Sequence, residues 1–265
     1  MKAFRFMIRR NFLQKRKNLI ILFLIFWPSV QIIFTFINLL NDPQMYVIAP
    51  NQAAIIYDFN FGKIAENLFA GVYMYSIPIV MVMLNSEDCI DDQTSHLKNS
   101  IVTRIGLKKF VILHLLKSFF VGFILVFCGL MLNLLLVHIV YRGGLFTGLS
   151  RDFYDHDAYW TWMLNHQTLT NIIHITIYAF LAGLISLVGT ITALQVRNKK
   201  IIYAVCVVMW AFLYINPYSI EVLIKSFRFI ELKFQIIAFI LTVTLCVLYV
   251  SIGLGRLIYN EKKNS

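Results

Sequence analysis

Charge is scarce in this chain. Asp, Glu, Lys and Arg make up only 14% of its 265 residues. A soluble domain carries about 25% charged and roughly 45–50% apolar residues, so a water-facing globule is excluded. No long stretch has soluble composition, and the chain reads as one membrane domain over residues 1–265. Only four cysteines are present, with no C-x-x-C pair, which excludes a zinc knuckle or a dithiol redox motif. Cys128, Cys206 and Cys246 fall in apolar runs and Cys89 in a polar stretch, where each reads as a small apolar residue. No G-x-x-x-x-G-K-[ST] loop occurs, so the chain has no P-loop nucleotide site. No H-E-x-x-H or G-x-S-x-G occurs either. The expectation is a protein that is not an enzyme, with no cofactor or metal of its own.

What is present is hydrophobic length. Apolar residues make up 59% of the chain, and the mean hydropathy is +0.73. A helix needs about 20 mostly apolar residues to cross a bilayer. Six runs approach this: Leu19–Leu40, Leu68–Leu84, Ser118–Val140, Asn171–Leu194, Ile201–Ile215 and Phe234–Gly255. The third also extends back to Phe110, which places His114 and Lys117 in its first turns. The fifth is short and stops at Asn216-Pro217, a helix-ending pair. The predicted fold class is an all-α integral membrane protein with six transmembrane helices.

Basic residues orient it. Residues 1–17, 87–109 and 197–200 and the C-terminus together hold 17 Lys and Arg, or 18 with Lys117. The opposite loops hold six, together with eight of the thirteen carboxylates. Basic loops stay inside, so both termini are expected in the cytoplasm, at a cell membrane. The net charge of +11 is then a matter of topology and anionic lipid, not of nucleic acid. The N-terminal apolar run exceeds 20 residues and lacks a small-residue cleavage site, unlike a signal peptide. Before it, Phe4, Met7, Ile8 and Phe12 share one helical face and Lys2, Arg5, Arg9 and Arg16 the other. This pattern predicts an interfacial helix over 1–17, or a plain basic anchor.

Outside, Tyr159, Trp160 and Trp162 fit the headgroup level. Residues 216–233 fit an interfacial or re-entrant helix before the last run. Asp152, Asp155, His156 and Asp157 read as a solvated acidic loop sooner than as metal ligands. His114, His138 and His174 lie in or near the runs, where ionisable groups are functional candidates. They are scattered, and no carboxylate accompanies them at mid-depth, so they read as structural. The same lack of a mid-span carboxylate speaks against a proton-driven carrier.

Between the second and third runs lies the polar stretch SEDCIDDQTSHLKNSIVTRIGLKK, Ser86 to Lys109. Ile90, Leu97, Ile101 and Ile105 recur at helical spacing, which predicts a short amphipathic helix over Asp91–Ile105. Asp91 and Asp92 open it and Lys98 and Arg104 come later, in line with the helix dipole. From these residues alone, a docking helix for a cytosolic protein and a plain connector are equal readings.

The layout resembles the permease subunits of type-2 ABC exporters, and within them a bacterial peptide-export and self-protection branch. The resemblance rests on Glu87-Asp88, Asp91-Asp92, Thr94, Lys98-Asn99, Arg104, Gly106 and Lys117, met in that order. The chain departs from the family in having no Gly before Thr94 and Leu-Lys-Lys after Gly106. The resemblance implies a coupling helix formed by Asp91, Asp92, Thr94, His96, Lys98, Asn99 and Arg104. It implies a separate cytosolic ABC ATPase that holds ATP and Mg, and a second permease subunit, identical or paralogous. It also implies export of a hydrophobic or antimicrobial peptide or a lipid-like cargo. The alternative is a non-transporting membrane immunity or sensor protein.

Overall fold

The computed structural model describes residues 14–41, 64–95, 97–140, 158–196, 198–215, 219–220, 223 and 231–264. Among them every regular element is a helix. In chain order these are α1 (Lys15–Asn41), α2 (Ile64–Met81), a π-helical turn (Val82–Ser86), α3 (Glu87–Thr94), α4 (Leu97–Ile105), α5 (Leu107–Val140), α6 (Ala158–Asn165), α7 (Gln167–Gln195), α8 (Lys199–Ile215) and α9 (Leu232–Asn264). The segment 1–13 of the expected interfacial helix, most of 216–233 and the acidic loop 152–157 lie outside the described residues.

Among the described residues three helices, against the six expected, carry stretches long and apolar enough to cross a membrane: Leu107–Ile139 in α5, Thr168–Gln195 in α7 and Leu232–Tyr259 in α9. At 1.5 Å per residue, the 34 residues of α5 reach about 50 Å, well beyond a hydrocarbon core of about 30 Å. The surface they present is apolar: Ile112, Leu116, Phe120 and Ile124 on α5 and Ile236, Ile240, Leu248 and Ile252 on α9 are all exposed. An exposed apolar surface of this extent is compatible with a membrane location.

Helix α7 is the centre of the bundle. Ala179, Ala182, Gly183, Ser186, Gly189, Thr190 and Ala193 give it one face of small, buried residues at i, i+3, i+4 and i+7 spacing. A Cβ on Gly183 would meet the Phe119 ring at 2.9 Å, and one on Gly189 would meet Ser86 Oγ at 2.6 Å. These close approaches let α5, α8 and the π turn pack against α7.

A second seam joins α1, α2 and α5. Pro28 inside α1 has no N–H, which deprives the Leu24 carbonyl of its helical donor. The Tyr73 hydroxyl of α2 donates to that carbonyl instead, at 3.2 Å. Asn133 of α5 donates its amide to the Pro28 carbonyl at 2.6 Å. Gly129 lies directly against the Leu24 carbonyl, so any side chain there would strike α1 backbone.

Candidate functional site

Three of the four acids of the polar stretch, Glu87, Asp88 and Asp92, do not lie on the surface. Helix α2, with Pro78 inside it, widens into the π turn, where Glu87 N–H bonds to Val82 O five residues back. The extra residue in that turn rotates α3 relative to α2. Asn85, Ser86, Glu87, Asp88, Asp92 and Gln93 are all turned into the bundle.

Asp88, 1% exposed, is the hub. Its Oδ1 accepts from Lys17 Nζ of α1. Its Oδ2 accepts from Lys117 Nζ of α5 at 2.5 Å. Both lysines are buried, so one carboxylate joins two ammonium groups out of water. Glu87 accepts a 2.8 Å hydrogen bond from the Tyr203 hydroxyl of α8. Its other oxygen is 3.5 Å from Arg16 and 3.8 Å from Lys199. Asp92 Oδ2 is 3.4 Å from His114 Nε2 on α5, an ion-pair distance. The Gln93 amide donates to the Ala193 carbonyl of α7 at 3.0 Å. Within two turns, α3 is therefore tied to α1, α5, α7 and α8.

Below the charges lies a layer of neutral polar groups. Asn85 Nδ2 donates to Ser186 Oγ at 2.9 Å and lies 3.4 Å from the Ser118 carbonyl. Ser118 Oγ donates to the Ser186 carbonyl at 2.9 Å and accepts from Thr190 Oγ1 at 2.6 Å. Each group uses a donor or acceptor of another helix, as buried polar atoms require.

Charge in such a place does not stabilise by itself. Desolvating a carboxylate and two ammonium groups costs several kcal/mol per ion, and their attraction only offsets it. What the hub does is fix geometry. A rearrangement of α3 that left Asp88 unpaired would strand charge in the interior, so the pairs link α1, α3 and α5 at this point.

The structure divides the expected coupling residues. Asp92 is buried against His114. Asp91 is exposed and lies 3.6 Å from Lys199. Thr94 is exposed, and its hydroxyl is 3.1 Å from the carbonyls of Ile90 and Asp91 on its own helix. Lys98 is half-buried and Arg104 is exposed in the last turn of α4. His96 and the side chain of Asn99 lie outside the described residues. The single helix expected over Asp91–Ile105 is two helices. Ser95 donates both its amide and its hydroxyl to the Asp91 carbonyl, at 2.9 and 2.6 Å. The amide bond is the last helical one, whereas the hydroxyl bonded back to the same carbonyl competes with helix propagation. Of the expected apolar stripe, Ile90 is buried and Ile101 and Ile105 pack on the core; the side chain of Leu97 lies outside the described residues.

Several site residues carry no sequence signal of their own. Lys17, expected in an interfacial helix, belongs to α1; Lys117 lies in the early turns of α5 as expected, in a helix that starts at Leu107, three residues before Phe110. Nothing in the local pattern marks Asn85, Ser118, Ser186, Lys199 or Tyr203. The small-residue spacing on α7 is the one available clue. The histidines are separate and engaged: His114 with Cys89 and Asp92, His138 with Leu134 O at 2.8 Å, and His174 with Leu223 O at 2.9 Å. Cys89 is thus more than a small apolar residue, since its Sγ lies 3.2 Å from His114 Nδ1.

No protein-family profile matches the chain. No solved structure matches it. Among curated proteins it is similar to the uncharacterized protein YybM of Bacillus subtilis (strain 168), with 23% identity over 194 residues, covering 73% of this chain and 76% of the relative.

Proposed function

We propose that the chain is the membrane-spanning permease subunit of an ATP-driven exporter of the type-2 ABC kind, in a bacterial cytoplasmic membrane. Helices α1, α2 with its π turn, α5, α7, α8 and α9 are its six spans. Both ends of the chain lie on the cytoplasmic side, by the distribution of Lys and Arg. The shorter α8 has 17 residues, about 26 Å, which suits a locally thinned bilayer. A separate ATPase binds and hydrolyses ATP with Mg, and this chain performs no catalysis. A second permease subunit, identical or paralogous, completes the path, in keeping with closed two-fold assembly. The cargo is a hydrophobic or antimicrobial peptide or a lipid-like molecule.

One observation carries this reading. The resemblance to the exporter family rests on an acid at the end of the second span and a Lys opening the third. Asp88 and Lys117 stand 29 residues apart and form a buried pair. A motif whose two ends touch behaves as a mechanical unit: a push on α3 or α4 from the cytosol reaches α1, α5 and α8 through side chains that cannot separate cheaply. That is what transmission from an external ATPase requires.

The test is co-purification. The chain is tagged after Ser265, extracted in mild detergent from its native host, and its partners identified. A stoichiometric ABC ATPase, lost when residues 91–104 are scrambled, is the expected result. Isolation of the folded chain without any ATPase, under the mildest extraction, overturns the proposal in favour of a non-transporting immunity or sensor protein.

A further inference from the structure

One buried group takes no part in holding the helices by charge. Cys89, on α3, lies 3.2 Å from Nδ1 of His114 on α5. The opposite ring nitrogen, Nε2, faces Asp92 Oδ2 at 3.4 Å. Cys89 and Asp92 are three residues apart, on one face of α3, and the imidazole fits between them. The ring of Phe110, with its centroid 4.5 Å away, packs on the imidazole and fixes its plane. A thiol on one ring nitrogen and a carboxylate on the other is the arrangement that moves a thiol proton onto imidazole and steadies the imidazolium that results. The two nitrogens point in opposite directions, so the three side chains do not converge on a point. Among the described residues no cluster of His, Cys, Asp or Glu is suited to a metal ion.

Burial sets the size of what can react. Cys89, His114 and Asp92 are each at most 1% exposed. A peptide, an acyl thioester or a nucleotide cannot reach the sulfur. A molecule little larger than water can, through the local openings that helix ends undergo.

We propose that Cys89, His114 and Asp92 form a peroxide-reactive thiol site. The Cys89 proton passes to His114 Nδ1, and the sulfur attacks one oxygen of a hydroperoxide. The S–O bond forms as the O–O bond breaks, and the leaving oxygen takes the proton from His114. With hydrogen peroxide the products are the sulfenic acid of Cys89 and one water; sulfur is oxidised by two electrons and the peroxide reduced. The added oxygen lands in the closed seam between α3 and α5, one residue from Asp88. It must push the two helices apart, so oxidation loosens the hub from the inside. The inference does not depend on the transport reading.

The chain supplies its own controls. Cys206 and Cys246 are also buried but have no hydrogen-bonding partner among the described residues, and Cys128 is exposed. The full-length protein in mild detergent is treated with hydrogen peroxide, quenched with catalase, and unfolded in the presence of dimedone and iodoacetamide. Each cysteine is then read by mass spectrometry, so no probe need enter the fold. Cys89 is expected to oxidise about tenfold faster than Cys206 and Cys246; equal rates overturn the proposal. His114→Gln is expected to bring Cys89 down to the rate of Cys206 and leave Cys128 unchanged, and an unaltered Cys89 rate overturns it. Infrared spectra of the wild type against Cys89→Ser give a reading that needs no His114 variant. A missing or shifted S–H band for Cys89 supports the site, and a band matching the other buried thiols overturns it.

Discussion

The two halves of the polar segment, α3 and α4, are adjacent, short and rich in charged and polar side chains, yet they do opposite things. Helix α3 hides Glu87, Asp88 and Asp92 inside the bundle and ties four other helices together. Helix α4 shows Ser100, Thr103 and Arg104 to the outside and rests on Ile101 and Ile105. In this segment polarity does not decide exposure; what decides it is whether partners of opposite charge wait on neighbouring helices. Asp88 finds Lys17 and Lys117, and goes in. Among the described residues Arg104 has no such pair inside, and it stays out.

That contrast is broken most directly at the hub. Asp88→Ala leaves Lys17 and Lys117 facing each other out of water. Removing one partner of a buried pair costs about 3–5 kcal/mol, which in a chain this size lowers the apparent Tm by about 10 °C. Heating in mild detergent, with the soluble fraction as readout, measures it. The triple change Lys17→Met, Asp88→Leu, Lys117→Met removes the charges together and is expected to recover most of that loss, since apolar replacements of buried ion pairs are often neutral in stability. Thermal stability with loss of partner function in the triple variant would show that the hub serves motion, not folding.

Neighbouring aspartates sharpen the comparison inside α3 itself. Asp92 is buried beside His114, whereas Asp91 is exposed beside Lys199. Asp92→Asn is expected to cost about 1–3 kcal/mol, and Asp91→Asn no more than about 0.5 kcal/mol. Equal effects in the same heating assay would mean that α3 is not turned inward as described. Asp92→Asn is also expected to slow Cys89 oxidation, which Asp91→Asn leaves alone.

How much of the molecule is legible in its sequence depends on what each feature rests on. The apolar stretches of α5, α7 and α9 need only composition over about 20 residues, and they are legible. The start of α5 is legible as far back as Phe110, and the three residues before it are not, because Lys108 and Lys109 interrupt the apolar run without interrupting the helix. The burial of Asp88 is illegible for a different reason: its partners lie 71 and 29 residues away in sequence, and no local pattern reports a distant lysine. The break after Thr94 is readable in principle, since Thr94-Ser95 offers two hydroxyls that bond back to the chain. The Cys–His–Asp arrangement needs the fold, as its members sit on two helices joined through a corner.

That corner gives a smaller effect. Gly106 joins α4 to α5 with φ of 80°, and a Cβ there would meet nothing within 4 Å. Gly106→Ala therefore costs only backbone strain, about 1 kcal/mol. The effect on stability should be slight, but the angle of α4 should shift, and with it any partner held by α4.

The smallest expected effect on stability falls on α4, and it is the most informative about function. Arg104 is exposed in the last turn of α4, where the helix dipole favours a cation. Arg104→Ala removes a dipole contribution of a few tenths of a kcal/mol and nothing buried, so the apparent Tm should move by about 1 °C or less. If α4 is only a connector, nothing else changes. If it is the docking element of a cytosolic ATPase, the retained ATPase should fall severalfold at unchanged stability, and addition of salt to the wild type should mimic the variant, because an exposed cation acts through screened attraction. The pair of readouts separates the halves of the segment: Asp88 changes stability first and partner retention through it, whereas Arg104 changes retention alone. A variant of Arg104 that lowers Tm as much as Asp88→Ala would place α4 in the interior with α3, and the division between a buried hub and an outward-facing helix would be lost.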